Sequence, residues 1–346
     1  MLVLAAAAMA GCSQSEVVEQ ASDAQTGRIG FSTHVNKGTR AITSDNFSQF
    51  KVYGSYTQSG STNRTVVFND VTVNKGTDNS WSYGTGSDLR YWIDGATYNF
   101  AGYAIDGNVL PGGASANYRD NRYLNITNFL ANGANQYDLV YAAPASVTAK
   151  AEGNSAVAME FRHALSRIML QFLNSFPAGY TIEVQDAKVV NVRDKGNFYG
   201  SVFETNVGNP WVKEDGTYQE PTRSTTTPEI PMDIKETEHA AVGAYLTTKE
   251  AYVIPFKYEQ ANVKVQFHLY VYRPDGGKAF DNIYTATMPI PNWEMSHQYR
   301  YTLDLTGSSA GLQPIEFTAS VGDWDAITEL EFDKIDTGVV DPVVEG

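Results

Sequence analysis

The sequence predicts an all-β protein with two domains in tandem. Its 346 residues are enough for about two domains at roughly 150 residues each. From Ile29 onward, apolar and polar residues alternate with a period of two, which is the pattern of half-buried strands. Gly, Asn, Asp and Ser separate the alternating runs, as turns require. An aromatic content of 12% excludes a chain that is disordered throughout.

The charge and the cysteine content exclude several classes of protein. The chain has 39 acidic and 25 basic residues and a net charge of -14, which would repel a phosphate backbone, so nucleic-acid binding is not expected. Residues 316–346 hold nine carboxylates against Lys334, so the C-terminal segment carries a net charge of -8. A single cysteine excludes an internal disulfide and a cysteine-based zinc site.

The N-terminus begins with a short apolar run, Met1–Ala10, which is followed by Gly11, Cys12 and polar residues. The Met-Ala-Gly-Cys sequence resembles a bacterial lipobox, although no positively charged segment precedes the apolar run. The resemblance implies that residues 1–11 are a signal peptide and that Cys12 receives a lipid, since two or more acyl chains anchor a protein stably. The alternative is an apolar N-terminal segment with an unmodified Cys12. Residues 12–28 lack periodicity and are expected to form a flexible tether.

The first half of the chain reads as a series of strands. Ile29, Phe31 and Val35 share one face of the first strand. Further alternating or β-branched runs follow at residues 52–56, 65–73, 98–104 and 137–141. Residues 157–173 fit both a strand and a helix, and we interpret them as one strand with a bulge near His163. Phe176–Gly179 interrupts the pattern, which predicts a boundary between domains of residues 29–174 and 175–346.

The second half of the chain also contains runs of alternating apolar and polar residues that predict strands. Alternation is clear at residues 251–256, 263–272 and 299–305, whereas residues 206–231 read as a long surface loop. The acidic C-terminal tail contains enough apolar positions for one more strand, among them Ile327, Leu330, Phe332 and Ile335. Such a strand could pair within its own domain and be followed by a solvated tail, or it could pair with another molecule.

No constellation for catalysis is present. The motifs of zinc proteases, serine hydrolases and P-loop enzymes are missing, so no catalytic residue, cofactor or metal site is predicted and an enzyme is not expected. His163 is expected to be a hydrogen-bonded histidine in the core or at a sheet edge. Asp323 and Asp325 are favoured as solvated turn residues over an acid pair for glycoside hydrolysis. Tyr91 and Trp92 are favoured as core or cross-strand residues over a sugar-stacking pair.

Several short motifs together resemble one known family. They are the lipobox, the polar tether, the strand Ile29–Val35 followed by Thr39-Arg40-Ala41, the segment Phe161–Ile168 with its His-Ala pair, Asp186–Val189 with Gly196–Gly200, and Trp293–Leu305 with Val321–Trp324. Over nearly the whole chain these motifs resemble the fimbrillins, which are the pilins of type V pili on Gram-negative anaerobes.

The resemblance implies a fold, a location and an assembly mechanism. The fold would be two transthyretin-like Greek-key β-sandwiches in tandem. A lipid-anchored precursor would reach the cell outer membrane, where an arginine-specific surface protease would cut between Arg40 and Ala41. Loss of the propeptide strand at residues 29–40, with Ile29, Phe31 and Val35, would open a groove for a strand of another fimbrial subunit. Arg28 is a second cut site, but a cut there would leave the strand attached.

The resemblance leaves the role within a fimbria open. The tail residues Ile327, Leu330, Phe332 and Ile335 are the candidate donor strand. The chain could be a polymerising stalk subunit that contributes to adhesion, or a tip or anchor adhesin that does not polymerise. The alternative from another class is a surface-anchored glycan-binding lipoprotein. Adhesion would require a host or bacterial receptor, whose identity the sequence does not reveal.

Overall fold

The computed structural model describes residues 27–35, 42, 46–120, 123–133, 135–143, 146–200, 210–211, 221–236, 239–255, 263–288, 293–306, 318–323 and 335–336. These residues form an all-β structure, as the alternation predicts. Helical structure in the described ranges is limited to two short 3-10 turns, Gly86–Asp88 and Asp106–Asn108. None of the helices in these ranges has the length and apolar character needed to cross a membrane.

The strands fall into two groups along the chain. The first ten are β1 (Phe31–Val35), β2 (Gln49–Thr57), β3 (Arg64–Lys75), β4 (Trp81–Ser82), β5 (Thr97–Ile105), β6 (Ser115–Arg119), β7 (Tyr123–Leu130), β8 (Leu139–Ala142), β9 (Val147–Thr148) and β10 (Val157–His163). The remainder are β11 (Ser166–Asn174), β12 (Thr181–Val190), β13 (Lys195–Gly200), β14 (Glu229–Pro231), β15 (Tyr245–Thr247), β16 (Ala251–Val253), β17 (Lys264–Tyr272), β18 (Lys278–Thr287), β19 (His297–Thr306), β20 (Thr318–Asp323) and β21 (Ile335–Asp336).

The first group builds one large sheet with the order β1-β10-β8-β5-β2-β3-β4, and β9 also pairs with β5. The sheet curls, so that β1 at one end contacts β4 at the other. The enclosed face carries an apolar cluster that is rich in phenylalanine. The opposite face of β2 and β5 packs against a small sheet with the order β13-β7-β6. The large sheet therefore has an apolar core on each face.

The second group forms two sheets that face each other. One has the order β15-β11-β19-β20, with β16 also on β11 and β21 also on β19; the other has the order β14-β12-β17-β18. Alternate residues of β11, β12, β17 and β19 point into a shared core, which is the arrangement of a β-sandwich. The period-two alternation read from residues 263–272 is confirmed, because Val265, Phe267 and Leu269 are fully or almost fully buried.

The interpretation of residues 157–173 as one bulged strand is wrong. The chain makes two strands, β10 in the first sheet and β11 in the second, with a break at Ala164–Leu165. The alternation of buried and exposed residues in β10 ends at His163, and the residues that follow through Leu170 are all buried. A segment that passes between two cores is apolar on every side, so periodicity alone could not reveal the break. The sequence pattern placed the residues of β11 in the first domain, but β11 hydrogen-bonds with strands of the second group.

The two halves are also joined away from this break. β13 returns to the first half and pairs antiparallel with β7. The side-chain amide of Gln136 accepts a hydrogen bond from the backbone N–H of Tyr252 at 2.6 Å and donates one to the carbonyl of the same residue at 3.2 Å. Within the predicted loop 206–231, Trp211 is buried and its indole N–H donates to the carbonyl oxygen of Ala164 at 2.6 Å. The junction is therefore packed and hydrogen-bonded.

Candidate functional site: the first strand and its apolar core

β1 is held differently along its two edges. On one edge it runs parallel to β10 over its whole length, from Phe31 opposite Val157 to Val35 opposite Phe161. On the other edge, the bonds in the described part of the chain lie before the strand, where the amide of Ile29 donates to the carbonyl of Arg90 at 2.9 Å. In the described part of the chain, the segment just before β1 is thus hydrogen-bonded to residues near Arg90, and β1 itself pairs with β10.

Phe31 is the centre of an aromatic cluster. Its ring is fully buried, and the centroids of Phe50, Phe68, Tyr83 and Phe100 lie 5.4 to 5.9 Å from its own. The interplanar angles of 69° to 89° are those of edge-to-face contacts, the arrangement that the ring quadrupole favours. These four rings come from β2, β3, β5 and the segment after β4, so one side chain of β1 ties together most of the sheet.

The other two apolar residues of the predicted propeptide strand are also in this core. Ile29 and Val35 are 0% and 1% exposed. The carbonyl oxygen of Ile29 accepts a hydrogen bond from the hydroxyl of Tyr83 at 2.7 Å, while His34 between them faces solvent. Each large apolar side chain contributes about 1.5 to 3 kcal/mol on burial, so the three together contribute roughly 5 to 9 kcal/mol. That is comparable to the whole stability of a typical domain, about 5 to 15 kcal/mol.

The residues that the sequence assigns to processing lie mostly outside the described part of the chain. Cys12, Arg40 and Ala41 are among these. The described neighbours of the proposed cut are Val35 and Ile42, both buried. At Arg28, the backbone forms an antiparallel bridge with Tyr91.

The candidate donor residues are only partly described. Ile327, Leu330 and Phe332 lie outside the described residues. Ile335 begins the two-residue strand β21, which pairs parallel with the Leu305–Thr306 end of β19. β20 pairs antiparallel with the opposite part of β19. The described tail residues Ile335 and Asp336 therefore pair with a strand of the second group's own sheet.

A buried acid–histidine pair lies beside Ile42. His163 and Asp138 are 1% and 0% exposed, and Nδ1 of His163 lies 3.0 Å from Oδ2 and 3.1 Å from Oδ1 of Asp138. The expectation that His163 is a hydrogen-bonded core histidine is confirmed. Sequence reasoning missed Asp138; the available signal was a carboxylate directly before the apolar run Leu139-Val140. Within the described ranges, no group of three or more His, Cys, Asp or Glu residues is arranged to hold a metal ion.

The pair is surrounded by further polar groups. The backbone N–H of Asp138 donates to Oδ2 of Asp106 at 3.2 Å. Burial raises the pKa of Asp106, and the nearby carboxylate of Asp138 adds to this effect. The amide of Ile42 donates to Oδ2 of Asp138 at 2.8 Å. The carbonyl of His163 accepts a hydrogen bond from the hydroxyl of Ser296 at 2.9 Å, which links the pair to the second half.

The other aromatic and acidic candidates from the sequence take separate positions. Trp92 packs edge-on against Tyr98, with centroids 4.8 Å apart, whereas the neighbouring Tyr91 is 53% exposed. Asp323 ends β20 opposite His297, and Asp325 lies outside the described residues. The described residues therefore do not bring these groups together into one site.

One family model matches most of the chain, and solved structures share its fold. A family model described as fimbrillin-like matches residues 39–324. The chain is similar in fold to a crystal structure of a fimbrial protein from Bacteroides vulgatus, with a TM-score of 0.61 at 16% identity, covering 86% of this chain and 99% of that one. A candidate cell adhesion protein from Bacteroides ovatus aligns at 16% identity with a TM-score of 0.47, covering 86% and 97%. No curated protein matched the sequence.

Proposed function

Since the chain belongs to the fimbrillin-like family, we propose that it is a structural subunit of a surface fimbria that polymerises by strand exchange. Membership of this family supports a fimbrial or adhesion role at the cell surface. The observation that carries the strand-exchange part is the burial of Phe31 among four aromatic rings at the end of the large sheet. An apolar strand of this kind leaves a deep groove when it is removed.

The proposed precursor is anchored to the outer membrane through a lipid on Cys12 and is cut between Arg40 and Ala41 by an arginine-specific surface protease. The backbone of Arg28 supports the choice of Arg40, because its bridge to Tyr91 would have to open before a protease could bind that segment in an extended form. The guanidinium carbon of Arg28 also lies 5.2 Å from the ring centre of Tyr83. A cut after Arg40 frees β1 from the rest of the chain.

Departure of β1 would create a binding site for another strand. It would uncover the edge of β10 from Val157 to Phe161, which now pairs with β1, together with the pocket that holds the Phe31 ring. Unpaired backbone groups beside apolar pockets are a template for strand addition. The ligand that fits is an extended peptide with a large apolar residue at the position of Phe31.

The C-terminal tail of a second subunit is the proposed donor. Its sequence Leu330-Glu331-Phe332 repeats the spacing of Ile29-Gly30-Phe31, so Phe332 would occupy the pocket of Phe31 and Leu330 that of Ile29. Among the described residues after β20, Ile335 and Asp336 pair with the Leu305–Thr306 end of β19, and this pairing would have to open before the tail could be donated. We therefore include other subunits of the same or a related type among the partners.

The description of the two halves as tandem transthyretin-like sandwiches is also a proposal. The pairing of β11 with β19 supports a division of the chain at Ala164–Leu165, rather than at residue 174. β13 would then be a strand of the second unit that pairs within the first.

Digestion of the purified precursor with an arginine-specific protease tests this function. Mass spectrometry should show a product that begins at Ala41, and sizing chromatography should show polymers. The Arg40→Ala variant, treated in the same way, should stay intact and monomeric. A wild-type protein that is cut after Arg40 but remains monomeric would contradict polymerisation and favour a tip or anchor adhesin. A surface glycan-binding lipoprotein would instead remain uncut, lipidated and monomeric on cells.

A further inference from the structure

A polar hollow lies at one end of the large sheet, where β2, β3, β5 and β9 meet. Its volume is about 580 Å³, within the range of small-molecule pockets, about 300 to 1,000 Å³. Of the eleven described residues that line it, six carry hydroxyl groups and two carry side-chain amides. Arg64 is the one charged residue among these eleven. The proposed strand exchange does not use this hollow.

The register of β2 and β5 explains why the hollow is polar. Tyr53 of β2 lies opposite Ala101 of β5, and both are buried in the cluster beneath the small sheet. Residues four positions further along a strand return to the same face. Thr57 and Thr97, which also lie opposite each other, therefore share this face. The face is thus apolar beneath the small sheet and carries hydroxyl groups at the hollow.

Four side chains form a row across the sheet at the hollow. Arg64 lies opposite Thr57, Thr57 lies opposite Thr97, and Thr97 lies opposite Thr148. Residues directly opposite each other project from the same face of a sheet. The hydroxyl oxygens of Thr97 and Thr148 are 3.3 Å apart. Since a hydroxyl can both donate and accept a hydrogen bond, the three threonines suit a ligand that is itself rich in hydroxyl groups.

Arg64 adds a positive charge to one end of this threonine row. Its side chain is half-buried, and Nη1 is shielded from solvent with no hydrogen-bond acceptor among the described residues. Turning the guanidinium toward the hollow therefore breaks no hydrogen bond at Nη1. A carboxylate placed there can accept two N–H bonds from the planar guanidinium. In a chain with a net charge of -14, the hollow is thus a local site for an anion.

From this combination we propose that the hollow binds a sugar that carries a carboxylate, of the uronic acid or sialic acid class. Arg64 would bind the carboxylate, and the threonine row would bind the hydroxyl groups of the sugar. The proposal names a ligand class for the adhesion role and rests on that role. It involves neither the cut after Arg40 nor the exchange of β1.

Isothermal titration calorimetry on the uncut precursor tests this proposal. The probes are sialyllactose for the sialic acids and an oligogalacturonate for the uronic acids. Their neutral counterparts are lactose and the methyl ester of the same oligogalacturonate, and sodium acetate represents a carboxylate without a sugar. At least one acidic probe should bind about 10-fold or more tightly than its neutral counterpart and than acetate, because a hydrogen bond to a charged group contributes at least this factor. The two probes distinguish the two classes of sugar.

Three variants locate the site. Arg64→Gln removes the charge and should weaken binding of the acidic probe by about 10-fold or more. Thr148→Trp leaves Arg64 in place but fills the hollow from an exposed position, and it should abolish binding. Arg223→Gln is the matched control, since Arg223 is an exposed arginine outside the hollow, and its affinity should equal that of wild type. Circular dichroism should show the same fold for all three.

Three results would overturn the proposal. They are the absence of binding by both acidic probes, equally tight binding of the neutral counterpart or of acetate, and unchanged affinity in a folded Arg64→Gln or Thr148→Trp variant. None of them depends on proteolysis, so they leave the strand-exchange mechanism unaffected. Conversely, a precursor that binds the acidic probe but stays monomeric after the cut would refute polymerisation and retain the sugar site.

Discussion

Replacement of Phe31 by alanine should destabilise the uncut precursor but leave the polymer formed after the proposed cleavage unchanged. The Phe31 ring is fully buried and contacts four aromatic rings. Truncation of a buried phenylalanine costs about 3 to 5 kcal/mol, because the transfer energy is lost and a cavity remains. The surrounding rings come from several strands and cannot all collapse into the space, so we expect the upper part of this range.

The assay is equilibrium unfolding of the uncut precursor in urea, followed by tryptophan fluorescence. The Phe31→Ala midpoint should fall with little change in the slope, which is the signature of lost stability. His34→Ala is the matched control, since His34 is in the same strand and exposed; it should change the free energy of unfolding by less than about 0.5 kcal/mol.

The second arm uses the protein after cleavage and polymerisation. Phe31 leaves with the released strand in the proposed mechanism, so polymers from Phe31→Ala and wild-type precursors should have the same resistance to urea. A loss below about 1 kcal/mol in the precursor would refute the packing argument. A destabilised polymer would show that β1 stays in place, and strand exchange at this groove would then be wrong.

The remaining predictions concern the anchor, the donor and a buried acid. Cys12→Ala should abolish labelling with a radioactive fatty acid and retain the protein in the cell; a variant that still partitions into detergent would contradict lipidation. Deletion of residues 326–346 should leave a folded monomer, by circular dichroism, that no longer polymerises after cleavage, and Phe332→Ala should weaken the polymer by about 3 to 5 kcal/mol; normal polymers from the deletion variant would place the donor elsewhere. Burial raises the pKa of Asp106, so its contribution to stability is full below the unfolded pKa of about 4 and is lost as the pH rises through the higher folded value. Urea unfolding between pH 3.5 and 7 should therefore show a smaller loss with rising pH in Asp106→Asn than in wild type.

Local patterns in the sequence predicted the features that depend on neighbouring residues. The alternation of Ile29, Phe31 and Val35 identified the buried face of the first strand, because side chains of a strand alternate regardless of what the strand pairs with. His163 was expected to be a hydrogen-bonded histidine in the core or at a sheet edge, and it lies in the core. These inferences needed no knowledge of the topology.

Features that depend on distant contacts could not be predicted in this way. The parallel pairing of β1 with β10 joins segments far apart in the chain, and no local signal specifies it. The burial and pairing of Asp138 depend on His163 and Ile42, which only the fold brings beside it. Ala164 and Leu165 are fully buried, so the alternation that identifies strands is interrupted where β10 ends and β11 begins.

The hydrogen bonds between the end of β10 and the start of β11 would affect how a fibre of the proposed kind responds to tension. The carbonyls of His163, Ala164 and Leu165 accept bonds from Ser296 and Trp211, and the amide of Ala164 donates to Leu139. A force applied to the first sheet is transmitted to β11 through residues 163–165, which are held by these hydrogen bonds. β11 is paired with β19 at eight parallel register positions. Under a force parallel to the strands, these hydrogen bonds must break together, whereas a force perpendicular to the strands breaks them one at a time. In a fimbria built by the proposed strand exchange, such a subunit should be stiff, and a stretched fibre should yield first where the strand of one subunit pairs with the next.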